Sequence, residues 1–191
     1  MFVTASRWKT FFEKLALKHP QVDIAINCAG AVTQLTSLEQ ITETDFDQIM
    51  STNVKGAWLS MKYELIQMKK QRNGVIVNIS SINGFSGTPN ASIYAASKAA
   101  LNSLTKTAAL ESAAHGIRIY SLCPGPVQAP LLEEVFRQTG LTHKEYESVI
   151  PQGRIGSANE IANTALWLCS DLSSYMTGQV IAVDGGLSAK G

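Results

Sequence analysis

The chain has 191 residues, of which 45% are hydrophobic and 16% charged, and its formal net charge is +1. That size and balance describe one globular domain and exclude a disordered chain; the absence of a basic stripe excludes a nucleic-acid surface. No apolar run approaches the ~20 residues of a membrane span, and Cys28, Cys123 and Cys169 form no CxxC pair, so reduced thiols and a cytoplasmic location are expected.

Taken in order, the chain alternates helical patterns with short apolar runs. The start carries no apolar leader pattern, and residues 7–17 read as a helix. Residues 22–27 (VDIAIN) read as a strand. A long helix is expected over 45–70, entered through capping-type residues in TETD. A second strand covers 74–80 (GVIVNIS), and a helix over 92–114 stops before Gly116. The third strand is 117–122 (IRIYSL), ended by Pro124 and Gly125. Residues 125–156 form the one long irregular stretch, with a short helical piece near 131–137; loops of that length commonly act as lids. Ser157 and Glu160 form a capping box for a last helix to about residue 170, and 179–186 (QVIAVDGG) supply the fourth strand. Continuous apolar strands alternating with helices imply βαβ crossovers: an α/β, Rossmann-like doubly wound parallel sheet in a single domain spanning 1–191, with a lid at about 126–156.

One stretch carries chemistry. In IYAASKAAL, Tyr94 and Lys98 stand four apart and share a helix face, among small residues that let a flat ligand approach. A free phenol titrates near pH ~10, and a held cation favours the phenolate, so the pair is spaced for proton transfer to or from an alcohol oxygen. Ser81 lies just past the second strand, at the carboxyl edge where open α/β sheets bind ligands. The bland readings are a surface tyrosine beside a solvated lysine, and a turn serine. His19, His115 and His143 lie far apart, so no metal site is expected.

In register along nearly the whole chain, six motifs resemble the short-chain dehydrogenase/reductase family. They are NCAG (27–30), STNVKG with Asn53, NISSINGFSG with Ser81, YAASK with Tyr94 and Lys98, CPGPV (123–127), and the C-terminal run from GRIGSANE to VDGG. The resemblance implies an oxidoreductase that moves a hydride between NAD or NADP and a small alcohol or carbonyl substrate. It implies that Tyr94 is the general acid/base and that Lys98 lowers its pKa and binds the nicotinamide ribose. Ser81 would orient the substrate oxygen, and Asn53 would hold a water in a proton relay. Asn27, Ala29, Gly30, Pro124, Gly125 and Val127 would join Tyr94 and Lys98 in binding the cofactor. It also implies a homo-oligomer, associating through the long helices and the C-terminal strand region.

The chain departs from that pattern at its start. The glycine-rich turn that holds the pyrophosphate is not in the sequence, and Phe2 stands about where many members place an adenine-contacting aspartate. The first three strands and two helices are therefore expected to be missing, which would make VDIAIN an exposed apolar edge. Ala129 and Tyr120 stand where the family often has threonine and asparagine. Trp58 and Trp167 are expected to pack helices, Cys28 and Cys123 to be buried fillers, Asp184 to be a turn residue, and Leu131, Leu132, Val135 and Phe136 to form an apolar lid wall. The competing reading is a catalytically inactive or oligomerisation-only chain.

Overall fold

The β-branched runs pair side by side, and their alternation divides the interior in two. In the computed structural model, which describes residues 5–189, four strands form one parallel sheet in the order β1-β2-β3-β4. They are β1 (Ile24–Asn27), β2 (Gly74–Ile79), β3 (Ile117–Pro124) and β4 (Val180–Val183). Ile76, Ile117 and Ile119 point to one face, where Met61, Met68 and Leu101 close over them. Val75, Val77, Tyr120 and Leu122 point to the other, against Ala165 and Leu168. Both faces are buried at the central strands β2 and β3, as a parallel sheet requires, and every strand-to-strand link is a crossover.

The helices are α1 (Ala5–Lys18), α2 (Glu43–Ile49), α3 (Ala57–Gln71), α4 (Ser92–Ser112), α5 (Pro130–Thr139), α6 (His143–Val149) and α7 (Ala158–Cys169). Helices α3 and α4 cover the first face and α7 covers the second. Thr42 caps α2 by accepting from Asp45 N (3.1 Å), and Ser157 and Glu160 form the expected box at α7. Gly116 ends the α4 region in the left-handed conformation at φ 73°.

Four expectations are corrected. The helix expected over 45–70 is not uniform: Met50–Gly56 widens into a π-helical segment between α2 and α3. The lid holds a second helix, α6, whose Thr142–Glu145 capping box is plain in the sequence. Leu132 and Phe136 do not wall a cleft; they turn into a cluster with Ile150 and Ile155 that is the lid's own core. Cys28 is exposed rather than buried, because the chain leaves the sheet directly before it. Trp58 and Trp167 are half-exposed, Trp58 lying under the Lys62 ammonium. Cys123 is buried, and Asp184 is a turn residue that accepts from Gly186 N (2.9 Å) and Ser188 N (2.7 Å). The expectation on Phe2 lies outside the described residues.

Strand β1 is one of the two outer strands among the described residues and pairs only with β2. Its Ala25 joins the covered face, but Ile24 and Ile26 point to the other, where they remain 51% and 50% exposed. A free edge with apolar side chains beside it templates intermolecular pairing. Replacing both with lysine (I24K/I26K) touches no core contact and should raise the monomer fraction of the purified chain at high concentration. Light scattering of wild type and variant reads this directly; equal self-association would show that β1 is not the sticky edge.

Candidate active site

The carboxyl ends of β1, β2 and β3 open on one edge of the sheet, and the polar side chains gather there. Strand β1 runs out into Ala29 and Gly30, β2 into Ser80 and Ser81, and β3 into Pro124 and Gly125. The N-terminal half of α4 lies across this edge. Lys98 Nζ donates to the carbonyl of Ile79 (2.9 Å), and Ser80 Oγ donates to the carbonyl of Lys98 (3.2 Å), tying helix to strand end. Gly84 allows the approach: a Cβ there would meet the Lys98 backbone carbonyl carbon at 2.9 Å and Asn102 Nδ2 at 2.6 Å. Gly125 is equally constrained, since a Cβ would lie 2.7 Å from Asp184 Cα.

Lys98 is only 4% exposed, and burial lowers its pKa to about 8, opposed by the neighbouring Cys123 and Cys28 thiols. Its ammonium lies 5.7 Å from the Tyr94 ring centre. Burial pushes the Tyr94 phenol above its ordinary value, a hydrogen bond with Ser81 pulls the other way, and Cys123 adds to the rise. This differs from the expected lowering by Lys98. The ammonium is engaged by Ile79, and desolvation of the phenol is the largest influence on Tyr94. Ser81 itself is held extended and accepts from Asn83 N (3.2 Å).

Asn53 is 1% exposed in the π-helical segment, a distortion that recurs at functional sites. Its Nδ2 donates to Ala31 O (2.9 Å) and Ser97 Oγ (3.0 Å), and its Oδ1 accepts from Ala31 N (2.8 Å). Three of its four hydrogen-bonding positions are used, leaving one lone pair. A Cβ on Gly30 would point into space bounded by Lys98 Nζ at 3.5 Å and Asn53 Oδ1 at 3.7 Å. The structure thus brings Asn53, Ser81, Tyr94, Lys98 and Gly30 to one place. Val127 lies farther out, pairing with Gly156 at the root of the lid.

Sequence reasoning missed the polar layer beneath this edge. Asn27 Nδ2 donates to Glu64 Oε2 (3.1 Å) and to Asn78 Oδ1 (2.9 Å), and Asn78 Nδ2 donates to Thr105 Oγ1 (2.9 Å). Asn27 and Asn78 are register partners, so the layer joins α3, β1, β2 and α4 in one line. The signal was present: Ala57, Met61, Glu64 and Met68 follow the spacing of a buried helical stripe, with a carboxylate in it. Glu64 is 5% exposed, and burial raises its pKa to about 7 against the opposing Asn27 bond.

The family model described as enoyl-(acyl carrier protein) reductase matches residues 4–188. The 3-oxoacyl-acyl-carrier-protein reductase FabG of Thermotoga maritima is 41% identical over 182 residues, covering 94% of this chain and 71% of the relative. Levodione reductase superposes with a TM-score of 0.94 at 31% identity, over 98% of this chain and 75% of that one. A structure of ElxO with NADP bound gives 0.91 at 31% identity, over 97% and 75%. The chain belongs to the short-chain dehydrogenase/reductase family, and by that membership it is an oxidoreductase of the nicotinamide-dependent kind.

Because the folded state holds the Glu64 proton more tightly than the unfolded chain, this contribution is complete below pH 4.5. It is lost as pH rises through about 7. The shift corresponds to about 3 kcal/mol. Urea unfolding of wild type and Glu64→Gln at several pH values should show a pH-dependent gap that levels off above neutrality. Parallel curves would mean that Glu64 titrates normally.

Proposed function

We propose that this chain carries the catalytic machinery for reversible reduction of a small carbonyl compound to an alcohol. The observation that carries the reading is the convergence of Tyr94, Ser81 and Lys98 where β2 meets α4. NAD or NADP, when bound, supplies or accepts the hydride. The residues fit the nicotinamide end of such a cofactor. A Cβ on Gly30 would sit in ordinary contact with Lys98 and Asn53, so the glycine leaves a methyl-sized gap beside them, and the buried ammonium supplies donors for ribose hydroxyls. Asn27, Ala29, Pro124, Gly125 and Val127 would form the rest of its seat.

The side-chain roles follow from placement. Ser81 donates to the substrate oxygen and holds it toward Tyr94. Tyr94 gives its phenolic proton to that oxygen in reduction and takes it back in oxidation. Burial keeps the phenol protonated at neutral pH, which suits the acid role. A water lodged beside Gly30 would accept from Lys98 and donate to the free lone pair of Asn53, and would reload Tyr94 with a proton from solvent. Leu131 and Val135, which stay out of the lid core, are the apolar residues left to meet the substrate body.

We further propose a cytoplasmic homo-oligomer. Half-exposed Trp58 and Ile66 on α3, largely exposed Leu110 on α4, and exposed Leu166, Leu172 and Tyr175 near the C-terminal strand support association through those faces. No helix among the described residues is long and apolar enough to cross a membrane.

A non-catalytic reading is favoured by one observation: the described residues include no glycine-rich strand–turn–helix element to hold a pyrophosphate. Fluorescence titration with NADH and NADPH separates the two readings. Saturable binding supports the enzyme; a folded chain that binds neither supports the alternative. Given binding, Tyr94→Phe should keep cofactor affinity and lower turnover of a carbonyl substrate by about a hundredfold or more. Turnover at wild-type rate would remove Tyr94 from the chemistry.

A further inference from the structure

One side chain ties the lid to the wall of the cleft facing it. Gln138, in the last turn of α5, accepts through Oε1 from the backbone N–H of Leu35 (2.7 Å). These residues are 103 positions apart. Leu35 belongs to the segment after β1 that lines a small crevice with Val32, Thr33, Asn90 and Tyr94. The bond therefore runs from the lid to a loop that shares this crevice with the candidate acid.

The orientation of the amide is set from inside α5. Gln138 Nε2 donates to Glu134 Oε1 (2.6 Å), and Glu134 is gripped by Arg137 through Nη2 (2.6 Å) and Nε (2.9 Å). An ionised carboxylate only accepts, so it selects the NH2 end of the amide and leaves the carbonyl oxygen facing Leu35 N–H. The lid has its own apolar cluster of Leu132, Phe136, Ile150 and Ile155, separate from the two clusters of the sheet. Neither sheet core includes a lid residue, and the lid is also attached to the turn after β4, through Leu187 and the bond from Gln152 N to Gly185 O (3.1 Å). The loop, by contrast, is fixed on its other side, where Thr36 N donates to Asn90 O (2.9 Å).

We propose that Gln138 is a latch that holds the lid across the substrate cleft, and that Glu134 presets its amide for Leu35. The claim rests on reading the lid as the outer wall of that cleft. It makes Gln138 a positioning residue, acting through the lid rather than on substrate.

The test needs no turnover. Gln138→Met keeps side-chain length and helix preference but removes the acceptor aimed at Leu35. In amide hydrogen exchange followed by NMR, the Leu35 amide should exchange about three to ten times faster in the variant. The Thr36 amide, held by Asn90, should not change. Glu134→Ala, which frees the amide to turn, should raise Leu35 exchange by a smaller factor. Tryptic cleavage at Lys144, within the lid, should also accelerate in Gln138→Met. An unchanged Leu35 rate, or an equal rise at Thr36, would overturn the latch. So would faster Leu35 exchange with unaltered cleavage at Lys144, because the bond would then exist without holding the lid. Tyr94→Phe turnover reports on the catalytic reading separately, so failure of either is visible on its own.

Discussion

The bond from the Lys98 ammonium to the carbonyl of Ile79 joins the end of β2 to the second turn of α4, and the site is organised around it. A carbonyl at a strand end has lost its ladder partner and needs a donor; a buried ammonium needs acceptors. Each satisfies the other. The bond places Tyr94, one helical turn earlier on the same face, beside Ser81, two residues beyond Ile79. Gly84 is required because only a residue without a Cβ fits where the chain crosses so close to the Lys98 backbone.

Beneath that contact, the parity of the strands decides what each face does. Residues of one parity in β1 and β2 begin apolar, with Ala25 and Ile76, and end polar, with Asn27 and Asn78. The sheet thus changes from core to polar layer as it nears its carboxyl edge. Glu64 and Thr105 meet that layer from the two helices above it. A polar line of this kind is costly if any member lacks a partner, so it fixes the relative heights of α3 and α4. Those are the helices that follow Asn53 and carry Tyr94. On the opposite face the parity leaves Ile24 and Ile26 half-exposed, because the cluster under α7 draws on β2, β3 and β4 and does not extend to β1.

Much of this was legible because it depends on local pattern. The four apolar runs, Gly116, the Ser157–Glu160 box and the YAASK spacing each reflect a short-range rule, and each lies where that rule puts it. The gathering of Tyr94, Ser81, Lys98 and Asn53 followed from motif resemblance, since their separation along the chain has no local signature. Other features depended on distant partners. Cys28 is exposed because nothing packs over the turn it occupies. Leu132 and Phe136 turned inward because α6, unread in the sequence, supplied them with a core. The direction of the Tyr94 shift is set by how deeply the phenol is buried, which spacing alone does not fix. Glu64 and Gln138 escaped notice because a glutamate or glutamine on a helix ordinarily faces water.

The π-helical turn at Met50–Gly56 has a consequence for how this site can vary. A wide turn of this kind is equivalent to one residue inserted into an α-helix. A point substitution cannot take that residue out again. Deleting one would return the segment to ordinary pitch and swing everything before it by about 100° relative to α3. The clamp between Asn53 and Ala31 would then have to break, or α2 would have to leave its place against α4. Drift in sequence can therefore alter which side chains line this edge far more readily than it can alter the length of the helix that frames it.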